Sequence, residues 1–414
     1  MPEGTMNQGI GASVRRKEDK KFITGKGRYT DDINRNGQLF AHFIRSDVAH
    51  ANIKNIDISA AAKCEGVVAV YTGEDIAADG IGGPICGWTP TNRDGSAPKE
   101  PPHPLLAVGK VRYVGDHIAV VIAESLEAAQ AASEKIVIDL DNLPAVVDPA
   151  TAIGNTQIHD EMDDNVYFDW ELGDETATAD ALGSADKVIE LTVTNNRVIP
   201  NAIEPRAAVA EYDEVEDRYT LYTSSQNPHL TRLVMAAFMM QIPESKLHVV
   251  APDVGGGFGS KIYIYPEEAV CTWAAKKLRK PVKWTADRTQ AFLGDAHGRD
   301  HVNKVKLGLD KNNKIVGLRV DTIANLGAYL SAFAMVTPTY LHGTLLSGCY
   351  DIPAIYTNVK GVCTTTVNVD AYRGTGRPEA TYLLERTMDY AAKQIGMDPA
   401  EFRRINFIPK DAFP

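Results

Sequence analysis

The chain has 414 residues, 44% hydrophobic and 23% charged, which are the proportions of a folded globular protein with room for two or three domains. Its formal net charge of -11 argues against DNA or RNA as the main partner, but leaves room for a local basic pocket for a phosphate-bearing cofactor. The five cysteines (Cys64, Cys86, Cys271, Cys349 and Cys363) contain no CxxC pair, so they fit no iron–sulfur or zinc motif and read as buried thiols in a reducing compartment.

Arg15-Arg16 is followed by Lys17-Glu18-Asp19-Lys20-Lys21 where a twin-arginine signal would need apolar residues. Apolar runs such as Ile118–Ala123 are too short to span a bilayer, and a cytoplasmic protein is expected. In residues 1–148, Gly25–Tyr29 reads as a turn, and Gln38–Arg45 and Gly66–Tyr71 read as strands. Residues 80–104, rich in Gly and Pro, predict a long loop. Val111–Tyr113 and His117–Ala123 flank Gly115-Asp116 and predict paired strands. Ser125 caps a helix over Leu126–Glu134, and Ile136–Leu140 returns as a strand. Strands interspersed with helices make this a small α+β domain, ending near Asn142–Pro149.

Residues 149–414 form the second segment. Strands are predicted near 187–194, 206–212 and 218–224, then a helix near 229–240 and a strand over Leu247–Ala251. A helix over Glu267–Leu278 and a strand over Pro281–Thr285 follow. His301–Leu307, Ile315–Ile323 and Val359–Val367 are further strands, and Arg377–Gln394 is a helix stopped by Gly396. Asp398, Pro399 and Glu401 mark the start of the last helix.

Four stretches could carry chemistry. In Asp253–Lys261, the glycines at 255, 256, 257 and 259 surround Phe258 directly after a strand. Such backbone permits positive φ and lets a ligand approach bare N–H groups, although a tight turn without ligand has the same composition. A phosphate-binding P-loop fails at Ser260 and Ile262, and the dinucleotide GxGxxG fingerprint fails at Ser260. In Thr223–His229, Gln226 offers both a donor and an acceptor for a metal-oxo group or substrate, against the alternative of a capping cluster; His229 reads as structural. In Asp370–Pro378, Arg373 and Arg377 sit in a Gly-rich loop where a guanidinium could stabilise developing negative charge or form only a surface ion pair. In Glu204–Ala210, Glu204 and Arg206 read as a structural pair before a strand.

Taken in order, Glu204–Ala210, Gln226–His229, Gly255–Lys261, Ala371–Arg377 and Met397–Phe407 resemble the molybdenum-binding large subunit of the xanthine dehydrogenase/aldehyde oxidase/carbon monoxide dehydrogenase family over nearly the whole chain. The resemblance implies an α+β fold: a hammerhead domain over 1–148, then the first half of a molybdenum-cofactor-binding domain over 149–414. It implies a molybdenum–pterin cofactor, as molybdopterin cytosine dinucleotide, lying against Gly255, Gly256, Gly257, Phe258 and Gly259. Gln226 would hydrogen-bond near the apical oxygen of the metal, and Arg373 would face the substrate; no side chain of this chain would ligate the metal. The reaction implied is hydroxylation of a carbon centre with water as oxygen source, with electrons leaving through a 2Fe-2S small subunit to an FAD-binding medium subunit.

Two departures refine this. Authentic carbon monoxide dehydrogenases carry a copper-holding cysteine after the Ala-Tyr-Arg triplet. Gly374 stands there, so a Mo–S–Cu centre cannot form in that way, and the substrate is sought among aldehydes or N-heterocycles. The family's catalytic glutamate lies in the second half of the cofactor domain. No general base is therefore nominated here, and the expectation is either a truncated chain or a further subunit carrying that half. A non-catalytic scaffold chain of such a complex is the alternative; a nicotinamide dehydrogenase is disfavoured by the broken fingerprint.

Overall fold

The protein is described by a computed structural model covering residues 9–162 and 164–412. Its largest sheet has seven strands, in the order Leu247–Val250, Arg218–Thr223, Ala207–Asp213, Val282–Thr285, Leu39–Arg45, His117–Ala123, Val67–Thr72. The strand His117–Ala123 is buried along its whole length, as the apolar run Ile118–Ala123 with a neighbouring strand on each side requires. Leu39 and Phe40 pair in parallel with Val282 and Lys283, so one sheet unites strands from both segments of the chain. The helix Pro266–Leu278 covers one face, where Phe43, Trp284 and Val270 share a core.

A second sheet of five strands runs in the order Val166–Gly173, Ile355–Cys363, Ile315–Gly327, His301–Leu309, Lys187–Asn195. Leu307 and Leu309 pack on Leu383, Leu384 and Met388 of the helix Arg377–Ile395. The pleat turns Gly308 to the other face, where it meets Leu182 at the end of the helix Glu175–Gly183. Phe402, on the last helix Pro399–Asn406, joins the Leu383 core, and Asp398 caps that helix through Ala400 N and Glu401 N.

Apart from the helix near 229–240, the predicted helices and most predicted strands lie where the sequence puts them. The pairing of Val111–Tyr113 with His117–Ala123 is corrected: Lys110–Val111 pairs instead with Ala51–Asp57, in a three-stranded sheet completed by Val137–Asn142. The Asp116 carboxylate, accepting from Arg112 N at 2.9 Å, directs the intervening turn out of the large sheet. The predicted helix near 229–240 is α-helical only over Pro228–Val234 and widens to a π turn over Met235–Met239, where Met240 N donates to Met235 O at 2.8 Å. The loop at 80–104 reaches the five-stranded sheet and lines its edge: Arg93 N donates to Asp169 O and Lys99 N to Tyr167 O, both at 2.8 Å. All five cysteines are free, but only Cys86, Cys271 and Cys363 are buried; Cys64 is half-buried and Cys349 exposed, which corrects the reading of uniformly buried thiols. Among the described residues no helix is long and apolar enough to cross a membrane.

Candidate active site

The edge strand Leu247–Val250 delivers the chain to the glycine stretch, and the neighbouring strand Arg218–Thr223 delivers it to Gln226. Gln226 N donates to Lys261 O at 2.7 Å, and Gln226 Oε1 accepts from Gly259 N at 2.9 Å. With its oxygen committed inward, Gln226 presents its amide nitrogen on an exposed residue. Asn227 caps the helix that follows through Leu230 N, so the capping and ligand readings of this stretch describe adjacent residues.

Glycine is required in this loop for close approach. A Cβ on Gly257 would lie 2.2 Å from Gln226 Oε1, and one on Gly259 would lie 2.2 Å from Ala371 O. Phe258, itself left-handed at φ 54°, is 41% exposed at the loop's outer edge. Its carbonyl accepts from Arg373 N at 2.8 Å, and the Arg373 guanidinium stands 5.7 Å from the Phe258 ring centre. The stretches at 226, 255–259 and 373 therefore converge on one exposed face. Neither Arg373 nor Arg377 forms an ion pair among the described residues, so the surface-pair alternative is not realised.

The support beneath this face differs from the sequence reading at Glu204 and Arg206, which do not pair. Glu204 Oε2 accepts from Gly255 N at 2.6 Å and from the buried Lys261 Nζ at 2.8 Å, tying both ends of the glycine loop to one carboxylate. Burial pulls the Lys261 amine below its ordinary range, while Glu204 opposes that shift. Arg206 instead makes two hydrogen bonds of 3.0 Å to Glu267 and donates to Asp295 Oδ1 at 2.7 Å. Burial works against the Arg206 charge, but Glu267 and Asp295 outweigh it and hold the guanidinium well above its usual range. Glu267 also receives Arg45 Nη2 at 2.5 Å and has His117 Nε2 3.0 Å away, which links the first segment to the second.

Sequence reasoning did not select Tyr263, Tyr265 or Asp370. Tyr265 OH donates to Ser260 O at 2.6 Å under the Arg206 guanidinium, and Tyr263 OH donates to Ala371 O at 2.8 Å. Asp370 accepts from Ser331 Oγ, from Phe333 N at 2.9 Å and from Ala371 N at 2.5 Å. Burial pushes its carboxyl up to about 6, against these donors. The alternating Tyr-x-Tyr after the glycine loop was the available signal; two of the donors to Asp370, Ser331 and Phe333, lie 39 and 37 residues away in sequence and left none.

This frame sets bare backbone, an amide and a guanidinium on one exposed face, and comparison with known proteins gives the chain a family. Residues 158–407 match the molybdopterin cofactor-binding domain, and residues 24–144 match the aldehyde oxidase and xanthine dehydrogenase a/b hammerhead domain. The carbon monoxide dehydrogenase large chain of Hydrogenophaga pseudoflava is 37% identical over 96% of this chain and 50% of its own length. The nicotinate dehydrogenase large molybdopterin subunit of Eubacterium barkeri is 30% identical over 96% of this chain and 89% of its own. The crystal structure of quinoline 2-oxidoreductase from Pseudomonas putida 86 superposes with a TM-score of 0.90 at 33% identity, covering 98% of this chain and 51% of that one. The chain belongs to the molybdopterin-binding xanthine dehydrogenase/aldehyde oxidase family, with an α+β hammerhead domain followed by cofactor-binding sequence. It spans about half the length of most such relatives.

Proposed function

We propose that this chain is part of the catalytic large subunit of a molybdenum hydroxylase, oxidising a carbon centre with water as the oxygen source. The observation that carries the reading is the shared exposed face of Gln226, the Gly255–Gly259 loop with Phe258, and Arg373. Its donor set fits the cofactor: an amide nitrogen and a guanidinium that forms no ion pair among the described residues, beside backbone that no Cβ shields. When bound, the molybdenum–pterin group supplies two-electron oxidation chemistry. Gly255–Gly259 and Phe258 would hold its edge, Gln226 would donate from its side-chain nitrogen, and Arg373 would stabilise negative charge developing on the substrate.

Within this reading the cofactor is the cytosine dinucleotide form, and electrons leave to a 2Fe-2S small subunit and an FAD-binding medium subunit. No residue of this chain is assigned as the general base. We read 1–148 as the hammerhead unit and 149–414 as the first half of the cofactor unit, working in the cytoplasm, where five unpaired cysteines remain reduced. Gly374, with φ 99° and no sulfur, favours aldehydes or N-heterocycles over carbon monoxide as substrate.

The test is purification after co-expression with the neighbouring genes, followed by molybdenum and pterin-nucleotide analysis and substrate-dependent dye reduction. Stoichiometric molybdenum with turnover of an aldehyde or N-heterocycle is expected, with the isolated chain inactive. A metal-free complex that assembles normally would instead identify a scaffold chain.

A further inference from the structure

Two successive non-glycine residues, Arg299 and Asp300, each have φ 70° immediately before the strand His301–Leu309. A left-handed pair of this kind persists only where its surroundings over-determine it. Those surroundings are specific. The Asp300 carboxylate accepts from Arg197 Nε at 2.8 Å and Asn325 Nδ2 at 3.0 Å. Just upstream, His297 N donates to Asn368 O at 2.9 Å and His297 O accepts from Asp370 N at 2.8 Å, so the chain runs beside the segment leading to Arg373. Gly298 touches that segment: a Cβ there would stand 2.6 Å from Tyr372 Cβ.

The left-handed turn swings the Arg299 side chain beneath Tyr372 and Arg373. Its Nη1 donates to Tyr372 O at 2.8 Å and its Nη2 to Arg373 O at 3.2 Å. Nη1 also meets Glu379 Oε1 at 3.0 Å, and the guanidinium lies 5.0 Å from the Tyr372 ring centre. Glu379 is fully buried in the first turn of the helix Arg377–Ile395, so the anchor is fixed to a rigid element. The Arg373 residue is thus held from both sides: its N–H by Phe258 O and its carbonyl by Arg299. Among the described residues the Arg373 side chain forms no ion pair, so its aim depends on its backbone and on the Phe258 ring beside it.

We propose that Arg299 is a positioning residue that fixes the Tyr372 and Arg373 carbonyls so that the Arg373 guanidinium faces the cofactor cleft. This rests on the reading of Arg373 given above. The experiment compares Arg299→Gln, Arg299→Lys and Arg373→Ala in the assembled, molybdenum-loaded complex. It measures hydrogen exchange by mass spectrometry over 371–376 and 301–309, together with kcat per bound molybdenum. Arg299→Gln is expected to speed exchange at 371–376 at least about tenfold while 301–309 stays unchanged, and to lower kcat about 10²-fold at unchanged molybdenum content. Arg299→Lys should recover part of both, since one ammonium replaces part of the planar fork. Wild-type exchange at 371–376, or wild-type turnover, in Arg299→Gln overturns the proposal while Arg373→Ala remains impaired. Full turnover in Arg373→Ala overturns the underlying reading instead. If Arg299→Gln does not assemble, the lysine variant together with Glu379→Gln decides, because Glu379→Gln loosens the anchor from its far end and should speed the same exchange.

Discussion

A methyl group added at Gly257 meets the far end of a flexible side chain, Gln226 Oε1, whereas one added at Gly259 meets the fixed backbone carbonyl of Ala371 from a φ of 112°. The two substitutions should therefore separate function from stability. Gly257→Ala should displace the Gln226 side chain and release Gly259 N, lowering molybdenum retention at a stability cost of about 1 kcal/mol. Gly259→Ala should cost about 1–3 kcal/mol or more, because neither the carbonyl nor the dihedral can yield cheaply. Molybdenum content and urea midpoints of the two variants check this, and equal losses of stability would refute the distinction. Lys261→Met is a third case. It leaves Glu204 largely buried without its cation, at an expected cost of about 3–5 kcal/mol, readable in the same urea series. The glycine loop, Gln226 and Arg373 were legible in the sequence because their chemistry is local: missing side chains, an amide at a strand exit, a guanidinium in a loop. Glu204 and Arg206 were misread because their partners, Lys261, Glu267 and Asp295, are distant in sequence, and adjacency suggested the wrong pair.

At the level of elements, periodicity and caps located the helices Leu126–Ser133, Pro266–Leu278, Arg377–Ile395 and Pro399–Asn406 because those signals lie inside each helix, while others such as Glu175–Gly183 and Arg288–Gly294 were not predicted. The last helix shows what such a cap does for the fold. Asp398 holds its first turn, and at its far end Asn406 Oδ1 accepts from Ile315 N at 2.9 Å while Asn406 Nδ2 donates to Asn313 O at 3.1 Å. The helix thereby fixes where the strand Ile315–Gly327 begins. Asp398→Ala should cost about 1 kcal/mol and lower the thermal midpoint, while Asp411→Ala, at an exposed position beyond the helix, should not. Strand order was not legible. Nothing local to Leu39–Arg45 indicates a parallel partner at Val282, and the bend at Asp116 that sends Lys110–Val111 to another sheet depends on a buried carboxylate.

At the scale of the whole molecule, the buried titratable groups fix its response to acid. Glu267 sits where both segments meet, and its carboxylate is held well below its usual range: burial alone would raise it, but Arg206, His117 and Arg45 outweigh that. A depressed carboxyl contributes stability that is present above the unfolded value near 4.5 and lost as pH falls below it. The buried histidines act earlier. Burial pushes His103 and His159 down to about 3, and His117, His297 and His342 down to about 4, from an unfolded value of 6.5. Below 6.5 the unfolded chain binds protons these side chains refuse, so each removes roughly 1.4 kcal/mol of stability per pH unit between 6.5 and its folded value. Asp116 and Asp370, raised by burial to about 7 and about 6, act in the opposite direction as pH falls. With His42, His50 and His301 also depressed, and Glu268, Asp295 and Glu379 also raised, five carboxyls stand against eight histidines and leave a net loss, so thermal midpoints should fall from pH 7 to pH 5, before Glu267 contributes. Because one sheet spans both segments and Glu267 binds them at its edge, the loss should appear as a single transition seen alike at Trp284 in the large sheet and Trp170 in the small one. Differential scanning fluorimetry across that range with single-tryptophan variants tests both statements; a midpoint that holds or rises toward pH 5 would show that the buried histidines are protonated or solvated in the native protein.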